Sequence, residues 1–131
     1  MSILGIDYGI RKAGLAIFDE KVGIAQPIEV IHPHQIIDWL NRNKGKYLID
    51  KVVIGLPGNA MDKSVYELGE KITTQHSLPV SYFDETLTTQ EAQSTLRSMQ
   101  ANRSKVKKME DAVASALMLQ SYYTIAKTTV L

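Results

Sequence analysis

The sequence predicts an α/β fold in which a mixed sheet of about five strands is flanked by helices. Three observations carry this. The first third of the chain holds short apolar runs broken by turn residues, as a meander of strands would. The second half alternates β-branched runs with helical periodicity, as βα units do. Finally, 131 residues with 44% apolar and 22% charged side chains match an ordinary soluble globular chain, so one domain spanning residues 1–131 is expected.

The elements follow in order. Ile3-Leu4-Gly5-Ile6 is an apolar run ending at Asp7, and Tyr8 to Lys12 reads as a turn. Gly14 to Phe18 forms a second run, and Ile24 to Ile31 a third, interrupted by Pro27, which restricts it to an edge or a bulge. Ile36, Ile37 and Leu40 recur at helical spacing up to a stop at Lys44-Gly45. Val52 to Leu56, closed by Pro57-Gly58, reads as a buried strand. Ser64-x-x-Glu67 is a capping-box pattern that predicts a helix reaching His76. Pro79 to Phe83 is a last strand leading into Asp84-Glu85, and Thr88-x-x-Glu91 is a second capping box. The final helix carries a stripe of Met109, Ala112, Val113, Ala116 and Leu117.

Composition excludes several classes. With no cysteine, a disulfide framework, a zinc-thiolate centre and a cysteine nucleophile are ruled out. No uncharged apolar run approaches the ~20 residues that span a bilayer, so no membrane partner is expected. The first residues lack the basic segment of a signal peptide, which predicts a cytoplasmic location. Gly58-x-x-x-x-Lys63-Ser64 lacks the second glycine that a phosphate-binding P-loop requires. His32 and His34 flank Pro33 without a third ligand at suitable spacing, and Trp39 fits core packing better than base stacking.

Three carboxylates stand out by position: Asp7 closing the first strand, Glu85 after the last, and Asp111 opening the final helix. Ligand sites in open α/β sheets lie beyond the carboxyl ends of the strands, where Asp7 and Glu85 can converge. Three carboxylates without histidine or cysteine are hard oxygen donors, suited to one or two Mg²⁺ or Mn²⁺ ions. Taken singly, each acid also fits a strand end, a loop or a helix's first turn. The apolar stripe of the final helix places Asp111 nearly opposite it, yet residues 112–119 are uncharged and a second apolar face leaves its direction open.

The charge is unevenly distributed. The formal net charge is +1, but Arg97, Arg103, Lys105, Lys107 and Lys108 form a run without an acid, leaving −4 on the rest of the chain. Such a run can contact phosphates, and Arg11 and Lys12 just after Asp7 can add to it. A near-neutral total therefore conceals a basic arm beside an acidic cluster.

Together these segments resemble the YqgF family of pre-16S ribosomal RNA nucleases, relatives of the RuvC-type Holliday junction resolvases. The matching stretches are Leu4-Gly5-Ile6-Asp7-Tyr8-Gly9 with Arg11-Lys12, then Val53-Ile54-Gly55-Leu56-Pro57 with Asn59, Asp62 and Ser64. They continue in Asp84-Glu85-x-Leu87-Thr88-Thr89-x-Glu91-Ala92 and in Asp111 with Ala112, Ala114 and Leu119-Gln120-Ser121-Tyr122. The resemblance implies an RNase H-like fold and metal-dependent phosphodiester hydrolysis, with Asp7, Glu85 and Asp111 as catalytic and metal-holding residues. It also implies that Arg11, Lys12, Asn59 and Ser64, with the basic run, face nucleic acid. RNA is the favoured partner; branched DNA, cut symmetrically by a homodimer, is the alternative, and a binding factor without turnover is a third. An actin-like phosphotransferase, suggested by Asp7-Tyr8-Gly9, needs more chain than is present. Three departures mark this sequence: Thr86 stands where the family commonly has arginine, Lys63 where glycine is usual, and Ala13 where a larger aliphatic is usual. Losing an arginine at a phosphate site removes a charge-assisted hydrogen bond.

Overall fold

A computed structural model describes residues 1–87 and 110–129. Its strands are β1 (Ser2–Tyr8), β2 (Ala13–Asp19), β3 (Ile24–Ile31), β4 (Ile49–Leu56) and β5 (Val80–Asp84). Its helices are α1 (Ile36–Asn43), α2 (Asp62–His76) and α3 (Glu110–Thr129), with 3-10 turns at Pro33–Gln35 and Glu85–Leu87. The Thr88-x-x-Glu91 capping box and Arg97, Arg103, Lys105, Lys107 and Lys108 lie outside the described residues.

The strands form one sheet in the order β3-β2-β1-β4-β5. The β1–β2 and β2–β3 pairs are antiparallel, while β1–β4 and β4–β5 are parallel, so the meander and the βα units meet at β1. Pro27 satisfies both expectations made for it. It sits on the edge strand β3, and the register shifts beside it, with Leu15 opposite Glu29 but Ala16 opposite Pro27. The ladder thereby avoids needing the N–H that proline lacks.

Successive side chains along a strand point to opposite faces, and the core divides accordingly. Leu4, Ile6, Leu15, Val52 and Ile54 face α1 and α2, together with Ile36, Trp39, Leu40, Val65 and Ile72. Ile3, Ala16, Phe18, Val53 and Phe83 face α3, with Ala116, Met118 and Leu119. Trp39 belongs to the first core, donating from Nε1 to Glu29 Oε2 at 2.9 Å. Ala13 is fully buried on that same side, so the small side chain fills a closed position.

Two helix assignments change. First, α2 opens at Asp62, two residues before the Ser64-x-x-Glu67 pattern, and its N-cap Met61 makes no side-chain cap bond. Asn59 Oδ1 accepts from Met61 N at 2.8 Å and Asp62 Oδ1 accepts from Gly58 N at 3.0 Å. This loop closure satisfies the chain ahead of the helix and leaves Ser64 inside its first turn. Second, the fully buried side of α3 comprises Ala112, Ser115, Ala116 and Leu119, while Val113 and Leu117 are only half-buried. At 3.6 residues per turn this axis is rotated from the expected stripe toward Asp111, which then lies about a quarter turn from its centre.

Glycine explains the rotation. A Cβ on Gly14 would lie 1.8 Å from the backbone oxygen of Asp111 and 2.7 Å from Ala112 N. A Cβ on Gly5 would lie 3.1 Å from Leu119 Cβ and 3.2 Å from Ser115 Oγ. The floor of the sheet is bare at these positions, so α3 settles with its backbone nearly on β2. Gly14→Ala is therefore expected to destabilise the fold by about 1–3 kcal/mol through overpacking, measured by denaturant unfolding. Gly45→Ala is the control, because its Cβ would meet nothing within 4 Å, and it should be neutral or slightly stabilising.

Candidate active site

Asp7 stands at the penultimate position of β1 and pairs across the antiparallel ladder with Gly14. Directly opposed residues point to the same face, so the Asp7 side chain emerges where Gly14 has none. The first turn of α3 occupies the space above Gly14 and carries Asp111. Glu85 arrives from the other side. It opens the turn after β5, whose last residue Asp84 is in register with Leu56 on β4. The Glu85 side chain folds over Gly55, where an added Cβ would sit 2.4 Å from Oε1. Two glycines one strand either side of Asp7 thus admit the other two carboxylates.

The electrostatics register this convergence. The Asp7 carboxyl is pushed up from 3.8 to about 8, first by burial, then by a hydrogen bond and charge repulsion from Glu85, then by repulsion from Asp111. Asp7 therefore resists ionisation unless a cation compensates the burial and the neighbouring charges. The donor set is hard oxygen only, held by bare backbone at Gly14 and Gly55, and it fits a divalent ion of the Mg²⁺ class. Among the described residues no three histidine, aspartate or glutamate side chains stand close enough together to hold a metal ion by themselves. A Mg²⁺-class ion does not require this, since it usually keeps several waters and takes one or two carboxylates plus substrate oxygens.

Arg11 and Lys12 are exposed in the tight turn between β1 and β2, immediately beyond Asp7. Asn59 is exposed in the β4–α2 loop with its Oδ1 engaged by Met61 N, and Ser64 lies in the first turn of α2. Arg103, Lys105, Lys107 and Lys108 lie outside the described residues. Thr86 has a local task in place of a phosphate contact. Its amide and hydroxyl donate to Asp84 Oδ1 at 2.9 and 2.8 Å, holding that carboxyl below its ordinary range. This clasp fixes the turn that presents Glu85. Sequence reasoning missed Gly14 as part of the site, and missed that Gly55 makes room for the Glu85 side chain and that Asp84 accepts from Thr86. Glycines inside strand patterns were the available signal, since they mark close approach of another element.

A carboxyl raised on folding favours the native state only while it holds its proton. In metal-free protein the Asp7 contribution should be complete below pH 3.8 and be lost as pH rises toward about 8. Asp7→Asn should flatten this slope and exceed wild type at pH 8 by on the order of 2 kcal/mol. Urea unfolding in chelator across that range checks it; a variant no more stable than wild type at pH 8 would contradict the assigned burial.

Comparison with known proteins shows the family to which the chain belongs. The chain matches the RuvX family, described as Holliday junction resolvase, over residues 1–124. A protein of Caldanaerobacter subterraneus named "Putative pre-16S rRNA nuclease" is 34% identical, covering 98% of this chain and 100% of that protein. Its namesake from Bacillus subtilis is 35% identical, covering 93% of this chain and 96% of the relative. Among solved structures, Thermus thermophilus RuvC in complex with a Holliday junction substrate superposes with a TM-score of 0.60 at 18% identity. The alignment covers 95% of this chain and 96% of that one. At that identity the likeness speaks for the fold alone, which is RNase H-like. A family match across nearly the whole sequence, with relatives above 30% identity over nearly their full length, makes this chain a member of the RuvX family.

Proposed function

We propose that this protein is a cytoplasmic, divalent-metal-dependent nuclease that cleaves structured RNA, acting in maturation of a 16S ribosomal RNA precursor. The observation that carries the proposal is the convergence of Asp7, Glu85 and Asp111, registered in the raised pKa of Asp7. Names borne by relatives at 34–35% identity support the substrate. The absence of cysteine fits a reducing compartment, and no helix among the described residues is long and apolar enough to cross a membrane.

In this reading Asp7, Glu85 and Asp111 hold one or two Mg²⁺ or Mn²⁺ ions, with Asp7 central because it lies between the other two. A divalent ion held there would lower the pKa of a bound water and offset charge on a phosphodiester. The chain's own residues set the geometry. The Thr86–Asp84 clasp presents Glu85, and the seat of α3 on Gly14 presents Asp111. Arg11 and Lys12 sit where flanking phosphates would pass, and Asn59, Ser64, Arg103, Lys105, Lys107 and Lys108 extend this nucleic-acid-facing set. The domain spans residues 1–131.

A second reading, cleavage of branched DNA by a homodimer, is favoured by the family description and by the resolvase neighbour. Asp7→Asn should lower Mg²⁺- or Mn²⁺-dependent cleavage by at least about 10²-fold while RNA binding persists. Cleavage at the wild-type rate in that variant would refute the proposal. Competition between precursor RNA and a four-way DNA junction separates the substrates; preferred cutting of the junction in symmetric pairs would select the second reading.

A further inference from the structure

On the face of β1 opposite Asp7 there is a cavity of about 250 Å³ lined by Tyr8, Pro33, His34, Ile37, Ser64, Glu67, Leu68 and Lys71. Tyr8 follows Asp7 in the chain, so the cavity begins one residue beyond the candidate active site, at the same end of the strand. Its walls are apolar, with Leu68 and Pro33 buried and Tyr8 and Ile37 half-buried. Its rim is polar and mixed, with His34, Glu67 and Lys71 exposed around Ser64.

Two sequence features end at this rim. Ser64 and Glu67 form a capping-box pattern, yet α2 opens upstream of them and its N-cap makes no side-chain bond. His34 belongs to the His32-Pro33-His34 segment, where His32 caps the 3-10 turn by accepting from His34 N, the two imidazoles stack at 4.8 Å, and His34 lines the cavity.

We propose that this cavity receives one unpaired, amino-bearing nucleobase of the bound RNA strand. The inference rests on the nuclease reading above and adds a base preference to it. Size limits the occupant, because about 250 Å³ is smaller than the usual 300–1,000 Å³ of a drug-sized ligand pocket and suits a single ring system. A phosphate is disfavoured by Glu67, whose carboxylate would oppose it. A base is favoured by the combination of an aromatic wall at Tyr8 and an imidazole at the rim, His34, with donors at Ser64 and Lys71 and an acceptor at Glu67. The acceptor sets the preference. Glu67 can accept from the exocyclic amine of cytosine, whereas uracil would turn its O4 acceptor toward the carboxylate.

The test is binding of fluorescent oligocytidylate and oligouridylate to the full chain in chelator, where cleavage cannot intervene. Wild type should bind oligocytidylate about tenfold more tightly, the scale of one good base contact. Glu67→Ala, at an exposed helical position, should erase that preference. Equal affinities in wild type would overturn the proposal. So would a preference that survives in Glu67→Ala, or an equal tightening of both oligomers, which is what simple relief of phosphate repulsion predicts. Metal-dependent cleavage of structured RNA, assayed separately, keeps the two readings distinct. Cleavage without a base preference refutes the pocket alone, and a base preference without cleavage refutes the nuclease reading.

Discussion

The contact on which the site depends is the first turn of α3 resting on Gly14. A side chain there would overlap the backbone oxygen of Asp111, so a bare strand position is required for the helix to reach the sheet. Since Gly14 is the cross-strand partner of Asp7, the same contact that packs the helix also sets the distance between two carboxylates. Packing and chemistry are thus one constraint, and neither can be relaxed without the other.

A conflict in the fold follows from it. Burying Asp7 beside Glu85 and Asp111 raises its pKa to about 8, an arrangement that favours the protonated form when no cation is present. Structures commonly store such unfavourable electrostatics at functional positions and offset them with hydrophobic burial elsewhere. Here the offset is visible in two cores, one on each face of the sheet, which hold β1 whatever its terminal carboxyl costs. Thr86 shows how the site is maintained locally. In place of a long cation reaching for substrate, a short hydroxyl clamps Asp84 and fixes the turn behind Glu85.

Much of the architecture was legible because it follows local rules. β-Branched and apolar runs marked all five strands, and Pro27 predicted both the edge and the register shift it produced. The sequence was less informative where two local patterns compete. Ser64-x-x-Glu67 looked like the start of α2, but Asn59 and Asp62 closed the preceding loop first. The stripe chosen on α3 also shifted, because a helix apolar on several sides carries no periodic signal to fix its rotation. Bare glycines on the sheet, not the helix's own residues, selected the buried side.

Sequence alone determined that three acids occur at the ends of two strands and the start of a helix, in a chain without cysteine. That follows from covalent order and composition, which any strand or helix inherits directly. It could not decide which way Asp111 faces, since angular position on a nearly uniform helix depends on what lies beneath it. Tertiary structure decided that through Gly5 and Gly14, which set the helix down with Asp111 beside Asp7. It also raised the Asp7 pKa, because desolvation and the fields of residues about 80 and 100 positions away exist only once the chain is folded.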